Sequence, residues 1–174
     1  MSSLTLAILK PDVVCHRPFL RSLLQQLCSM KELAVVACRV KRLSRADAER
    51  FYDAHREKFF FGRLVAHMCS GPSLCLLLRG GGDDAASQLR RRLGDTKVHR
   101  TVYLEAASFR GQFGLTDTRN AIHGADSEEV ALSEAGFYFA KAEIAAAAAV
   151  TSSTSRETEI SARDLLENLE DAFG

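Results

Sequence analysis

The sequence predicts an α+β fold: a ferredoxin-like βαββαβ antiparallel sheet covered by helices on one side, with a flexible C-terminal extension. Three observations predict it. Short apolar runs alternate with segments of helical period. Their order reads β-α-β-(α-α)-β-α-loop-α-β. After Phe139 the composition turns alanine-rich and then Ser/Thr-rich, so the folded part ends near there.

Each element has a local reason. "LTLAIL", residues 4–9, is a strand stopped by Lys10-Pro11-Asp12, because proline cannot continue a ladder. Pro18 suits the first turn of a helix, and Phe19, Leu20, Leu23, Leu24 and Leu27 follow at helical spacing. "LAVVACRVKRL" is β-branched and then alternating, a strand of about ten residues. Ser44 with Asp47 forms a helix start, and Ala48, Phe51 and Tyr52 continue it. "FFFGRLVAHMCS" predicts another helix, ended by Gly71-Pro72, and "SLCLLL" a fully buried strand. Gly80 to Gly82 make a loop, and "DDAASQLRRRLG" a helix ended by Gly94. Residues 95–120 have weak periodicity and predict a long loop. Asp126 with Glu129 would cap a helix over residues 127–135, and "FYF" would be the final strand. The domain organisation is then 1–140 for the folded unit and 141–174 for an extension: a linker, then an amphipathic segment carrying Ile160, Leu165, Leu166, Leu169 and Phe173. That segment fits two roles, a helix docked on its own domain or one that binds a partner.

Composition excludes several classes. The net charge of +1 argues against a general nucleic-acid coat. An RNA-binding sheet of this topology would stack bases on aromatics from its central strands, and "LTLAIL" and "SLCLLL" contain none. No apolar run approaches the ~20 residues of a membrane span. No secretory signal or transit peptide is read at the N-terminus. The 5 cysteines are scattered, with no paired spacing, which suits free thiols in a reducing compartment and no zinc site.

Chemistry concentrates in "RNAIHGAD". His16, His55, His67 and His99 read as surface or partly buried structural residues. His123 has different company: a polar run before it, a glycine after it, and Glu134 on the following helix. A carboxylate on one ring nitrogen fixes the tautomer and leaves the other nitrogen free to act as a nucleophile. Lys10, Arg90, Arg91, Arg92, Thr96, Arg110 and Asn120 could converge on an anion. No glycine-rich phosphate loop is present, so side chains would have to make such a site.

These residues carry a resemblance. "ILKPD", "RFY" then "FF", "SGP", "RRRLGDT", "FRGQFG" and "RNAIHGAD" resemble, in order, the nucleoside diphosphate kinase family, from about Leu4 to Phe139. The spacing from Thr96 to Arg110 is about three residues longer than in most members; with "TKVHR" and "GLTDTRN" it resembles the divergent type-six subgroup. The resemblance implies ping-pong transfer of a γ-phosphate from a nucleoside triphosphate to a nucleoside diphosphate through a phosphohistidine. It implies His123 as nucleophile and Glu134 as its partner. Lys10 would neutralise the transferring phosphate, with Tyr52 in support. Phe60 would stack on the base, Arg90 and Thr96 hold the outer phosphates, Arg110 reach the transferred one, and Asn120 bind the sugar hydroxyl. Arg90 is chosen over Arg91 by counting back from Leu93-Gly94-x-Thr96. Mg²⁺ would travel on the nucleotide phosphates, with no direct protein ligand.

The chain departs from the family at Ala125, where a serine is usual, and at Asp117, where an apolar residue usually packs on the base. Both predict reduced activity. The alternative function is a kinase-like protein that acts through, or is activated by, a protein partner. The implied partners are nucleotides, further copies of the chain and such an activator. The expected setting is intracellular, cytoplasmic or mitochondrial, and not secreted.

Overall fold

Strand β1 (Ser2–Leu9) runs between two neighbours, paired along its whole length on one side and through Ala7–Leu9 on the other. On one side it pairs antiparallel with β3 (Ser73–Gly81), in the register Leu4↔Arg79 to Leu9↔Leu74. On the other it pairs antiparallel with β4 (Ile122–Gly124), placing Ile8 opposite His123 and Leu9 opposite Ile122. Strand β2 (Leu33–Lys41) joins the far edge of β3, with a bulge between Val35 and Ala37. The sheet order is β2-β3-β1-β4, the ferredoxin-like order. This is a computed structural model, and it describes residues 2–81, 84–149 and 160–173.

Helices cover both faces of the sheet, not the one expected. The reason lies in β1 and β3. Leu74, Cys75, Leu76, Leu77 and Leu78 are all buried, so β3 has no polar face to offer water. One face, with Ala7 and Leu9, packs under α2 (Arg17–Cys28), α5 (Ala85–Leu93) and α7 (Phe109–Phe113) through Leu20, Leu24, Leu89, Phe109 and Phe113. The other, with Leu6 and Ile8, packs under α3 (Arg45–Phe51), α4 (Phe61–Cys69) and α8 (Glu128–Ala135) through Ala48, Val65, Met68, Ala131 and Ala135. The short α1 (Pro11–Val14) starts where Pro11 stops β1, as expected of a proline at the first helical position.

Three further expectations change. Residues 95–120 are not one long loop: they hold α6 (Val98–Leu104) and α7. Helix α6 escaped the periodicity argument because Val102, Tyr103 and Leu104 are exposed, so its apolar residues mark no buried stripe. "FYF" is not a strand. Its amides donate to Glu134 and Ala135 carbonyls, prolonging α8 by a turn, while Tyr138 and Phe139 pack into the second cluster. The fourth strand is instead β4, on the other side of α8. The cap of α8 is Ser127, whose hydroxyl accepts from Val130 N–H at 3.2 Å, and not Asp126.

The alanine-rich segment forms α9 (Lys141–Ala149), with Ala147 buried in the second cluster. The Ser/Thr-rich stretch 150–159 lies outside the described residues. Helix α10 (Ala162–Phe173) docks on α2 and β2, burying Leu165 and Leu169 in the first cluster. The amide of Ile160 donates to Val35 carbonyl at 2.9 Å, tying the approach to β2. The C-terminal amphipathic helix thus lies on its own core. Among the described residues, no helix is long and apolar enough to cross a membrane.

Leu165→Ala should lower unfolding stability by about 2–3 kcal/mol in urea denaturation, the usual cost of truncating a buried leucine. An unchanged midpoint would contradict the docking of α10.

Candidate active site

Strand alternation aims the central histidine. Side chains directly opposite across an antiparallel pair share a face. His123 therefore shares Ile8's face, the face of α8, while Ile122 shares Leu9's and is buried in the first cluster. Glu134, on α8, meets the ring there: His123 Nε2 lies 2.8 Å from Glu134 Oε2. The side chains retain 22% and 16% exposure, so the pair is sheltered but reachable. The edges of Phe51 and Tyr52 flank the imidazole, with ring centres 5.3 and 6.2 Å away. His123 Nδ1 makes no hydrogen bond among the described residues.

His123 lines two adjoining hollows, of about 220 and 260 Å³. The first is also lined by Lys10, Tyr52, Phe60, Thr96, Arg110 and Asn120. The second is also lined by Arg90, Thr96, Arg110 and Asp126. The structure thus gathers every residue that the resemblance placed at the site, Glu134 behind the ring and the rest along the two hollows, whereas Arg91 and Arg92 line neither.

The cations are held in place before any ligand arrives. Lys10 follows β1 directly and is buried; its Nζ donates to Asn120 Oδ1 at 2.6 Å. Burial lowers its pKa to about 8; Asp12 pulls it back up and Arg110 pushes it down. Arg110, on α7, donates to Gly94 carbonyl at 2.6 Å and to Ile122 carbonyl at 3.0 Å. Burial, and then the neighbouring Arg90, lower its pKa to about 10. Gly94 ends α5 with φ +79°, and a Cβ there would collide with the Ser108 hydroxyl. A larger residue would shift the carbonyl that holds Arg110. Arg90 pairs with Asp126. An anion near these cations would stabilise charge that burial disfavours.

Tyr52 supplies a neutral donor. Its hydroxyl is buried with no hydrogen bond among the described residues. Burial, then Tyr138 and Glu134, push its pKa well above the ordinary phenol value, so it stays protonated. Phe60 and the exposed Phe59 form the aromatic end of the first hollow.

Some residues escaped the sequence argument. Asp12 binds the amide of Ala121 through Oδ2 at 3.0 Å, and Ala121 holds φ +71°, a conformation unusual for alanine. The aspartate of "KPD" was the available signal. His55, read as structural, lines both hollows. Asp126 pairs with Arg90 and does not cap α8. Asp117 lines the first hollow, but its carboxylate accepts from Val98 N–H at 3.1 Å and faces Lys97 Nζ at 3.3 Å. It thus holds the first amide of α6. Ala125 is buried in the second cluster, with Ala131 and Ala135 of α8.

Oxygen donors at the site are of the kind a divalent cation takes. Among the described residues no group of three or more His, Cys, Asp or Glu gathers to cage a metal. Asp126 is the carboxylate lining the second hollow, beside the cations a polyphosphate needs.

Fold and site together define a phosphotransferase: an imidazole backed by a carboxylate, facing cations and an aromatic shelf on a four-stranded sheet. The nucleoside diphosphate kinase family profile matches residues 3–144. Nucleoside diphosphate kinase 6 of Danio rerio is 40% identical over 136 residues, covering 78% of this chain and 75% of that protein. The solved structure of the Aquifex aeolicus nucleoside diphosphate kinase aligns with TM-score 0.74 and 34% identity, covering 82% of this chain and 99% of that one. A halophilic nucleoside diphosphate kinase from Halobacterium salinarum, solved with CDP, aligns with TM-score 0.70 and 26% identity, covering 82% and 91%. This chain belongs to the nucleoside diphosphate kinase family, and within it is similar to the type-six subgroup.

The buried lysine sets a stability test. Below about pH 8 Lys10 is charged both folded and unfolded, and its burial penalty is constant. Between about 8 and the ordinary 10.5 the folded lysine is neutral while the unfolded one still binds a proton, so its contribution to stability rises with pH. Urea denaturation of wild type and Lys10→Met across this range should show wild type gaining on the variant. A constant difference would contradict the perturbed lysine.

Proposed function

We propose that the chain moves the γ-phosphate of a nucleoside triphosphate to a nucleoside diphosphate in two half-reactions, with His123 Nδ1 as the relay atom. The supporting observation is the Glu134 contact with Nε2, which leaves Nδ1 as the ring nitrogen available toward the hollows. In the first half-reaction Nδ1 bonds to the γ-phosphorus as the bond to the β–γ bridging oxygen breaks; the nucleoside diphosphate departs with that oxygen. In the second, a new nucleoside diphosphate attacks the phosphohistidine, and the nitrogen–phosphorus bond breaks. Glu134 stabilises positive charge on the ring while the phosphate is attached.

The other residues position and neutralise, which is most of what phosphoryl transfer needs. Phe60 stacks on the base, a contact open to any base. Asn120 holds the sugar hydroxyl. Lys10 and Arg110 receive the charge on the transferred phosphate, and Tyr52 donates its free hydroxyl. Arg90 and Thr96 hold the outer phosphates. Arg90 must exchange its Asp126 partner for phosphate, and the freed carboxylate would help hold a metal carried on the nucleotide. Mg²⁺, when bound to the phosphates, supplies further neutralisation of their oxygens.

A second reading, activation by a protein partner or by assembly with further copies, is favoured by one observation. Helix α6 exposes Tyr103 and Leu104, at 85% and 73%, while Asp117 ties its start to the cleft. Full activity of the purified chain, unchanged by Tyr103→Ser with Leu104→Ser, would count against it.

Incubation with γ-labelled ATP should give acid-labile, base-stable label on wild type and none on His123→Ala. Glu134→Gln should slow labelling by at least about tenfold. Equal labelling of the His123 variant would sink the proposal. Ala125→Ser restores a hydroxyl in the cluster beneath Glu134's helix and should raise the labelling rate, by up to roughly tenfold. No gain would show that the absent hydroxyl does not limit this chain.

A further inference from the structure

His67 and Asp12 form a buried pair that the proposed chemistry does not use. His67 Nε2 lies 2.9 Å from Asp12 Oδ1, and the side chains are only 7% and 4% exposed. Neither residue lines the hollows that hold His123. His67 stands on α4 among apolar neighbours in sequence: Leu64, Val65 and Met68 are buried on the same helix. Burying a polar ring there is unfavourable unless its nitrogen is satisfied, and Asp12 satisfies it.

The second oxygen of that carboxylate does different work. Asp12 Oδ2 accepts the Ala121 amide at 3.0 Å, while Ala121 carbonyl accepts the Lys10 amide at 2.9 Å. Ala121 is therefore gripped at both its polar atoms, at φ +71°. Such a conformation persists in a non-glycine residue when its surroundings over-determine it. On one side of Ala121 stands Asn120, whose Oδ1 accepts from Lys10 Nζ. On the other begins β4, which carries His123.

We propose that His67 is a positioning residue for phosphoryl transfer: by donating to Asp12 it orients the carboxylate that locks Ala121, and Ala121 sets Asn120 and His123 relative to Lys10. This rests on the phosphohistidine reading above. With an apolar ring at position 67, Asp12 Oδ1 loses its partner in a dry place. The carboxylate then turns to find another, and its grip on Ala121 slackens. Small displacements of reacting groups cost rate more than binding, because base, sugar and phosphate contacts can still form.

The test is single-turnover formation of phosphohistidine at varied ATP, on the full chain. His67→Phe should lower the maximal rate roughly 10- to 100-fold, with the half-saturating ATP concentration changed less than about threefold. His67→Gln, which keeps an N–H donor at similar reach, should recover most of that loss. A His67→Phe rate equal to wild type, or a Gln variant as slow as Phe, overturns the proposal. Should the Phe variant fail to fold, ¹⁵N NMR of the wild-type imidazoles decides: the proposal requires a proton on His67 Nε2, and a bare Nε2 overturns it. Absence of label on wild type removes the phosphohistidine reading and this proposal together; label on wild type with indifferent His67 variants removes the positioning role alone.

Discussion

Pairing of a three-residue strand with the middle of the sheet brings this site together. Strand β4 meets β1 across Ala7, Ile8 and Leu9, and Lys10 N–H extends the ladder to Ala121 carbonyl. That register turns His123 to the face of α8 and Ile122 to the opposite core. A slip of one residue would exchange them, burying the imidazole among Leu89, Leu93 and Phe109 and removing it from Glu134. The same stretch places Asn120 against Lys10, and Ile122 carbonyl against Arg110. One short ladder thus sets His123 and Lys10 and gives Arg110 one of its two carbonyl anchors, the other being Gly94, while α8 brings the Glu134 carboxylate.

Electrostatics complements the geometry. Lys10 and Arg110 are charged groups in a place that disfavours charge, with pKa values drawn down to about 8 and 10. Their hydrogen-bond partners are neutral: the Asn120 amide oxygen and the backbone carbonyls of Thr118, Gly94 and Ile122. In the proposed reaction, the polyphosphate would supply the missing anion without rebuilding the site. Tyr52 is the neutral counterpart, a buried hydroxyl awaiting an acceptor. Preorganised donors of this kind act on charge as it moves, with little reorganisation during reaction.

Much of this was legible in the residues, for identifiable reasons. "LTLAIL" and "SLCLLL" are continuous apolar runs, and such runs become central strands wherever helices cover both faces. Leu20, Leu23, Leu24 and Leu27 give a clear helical stripe, and all are buried. The motif around His123 pointed to the strand whose histidine lines the two hollows, because the chemistry it implies needs particular side chains. What stayed hidden depends on distant partners. "IHG" has no strand signature of its own; β1 makes it a strand. Phe137, Tyr138 and Phe139 have strand-forming side chains, yet the preceding helix captures their amides. Helix α6 starts where Asp117, distant in sequence, caps Val98. His67 looks like a bland helical histidine until Asp12 is placed beside it.

In the proposed relay, the contact between Glu134 and Nε2 leaves Nδ1 to take the phosphate, and that reading can be measured directly. Phosphohistidine formed with ATP can be identified by phosphorus–nitrogen NMR or by comparison with the two authentic isomers after alkaline digestion. The geometry predicts phosphate on Nδ1 of His123. Phosphate on Nε2, or on any other residue, would contradict it.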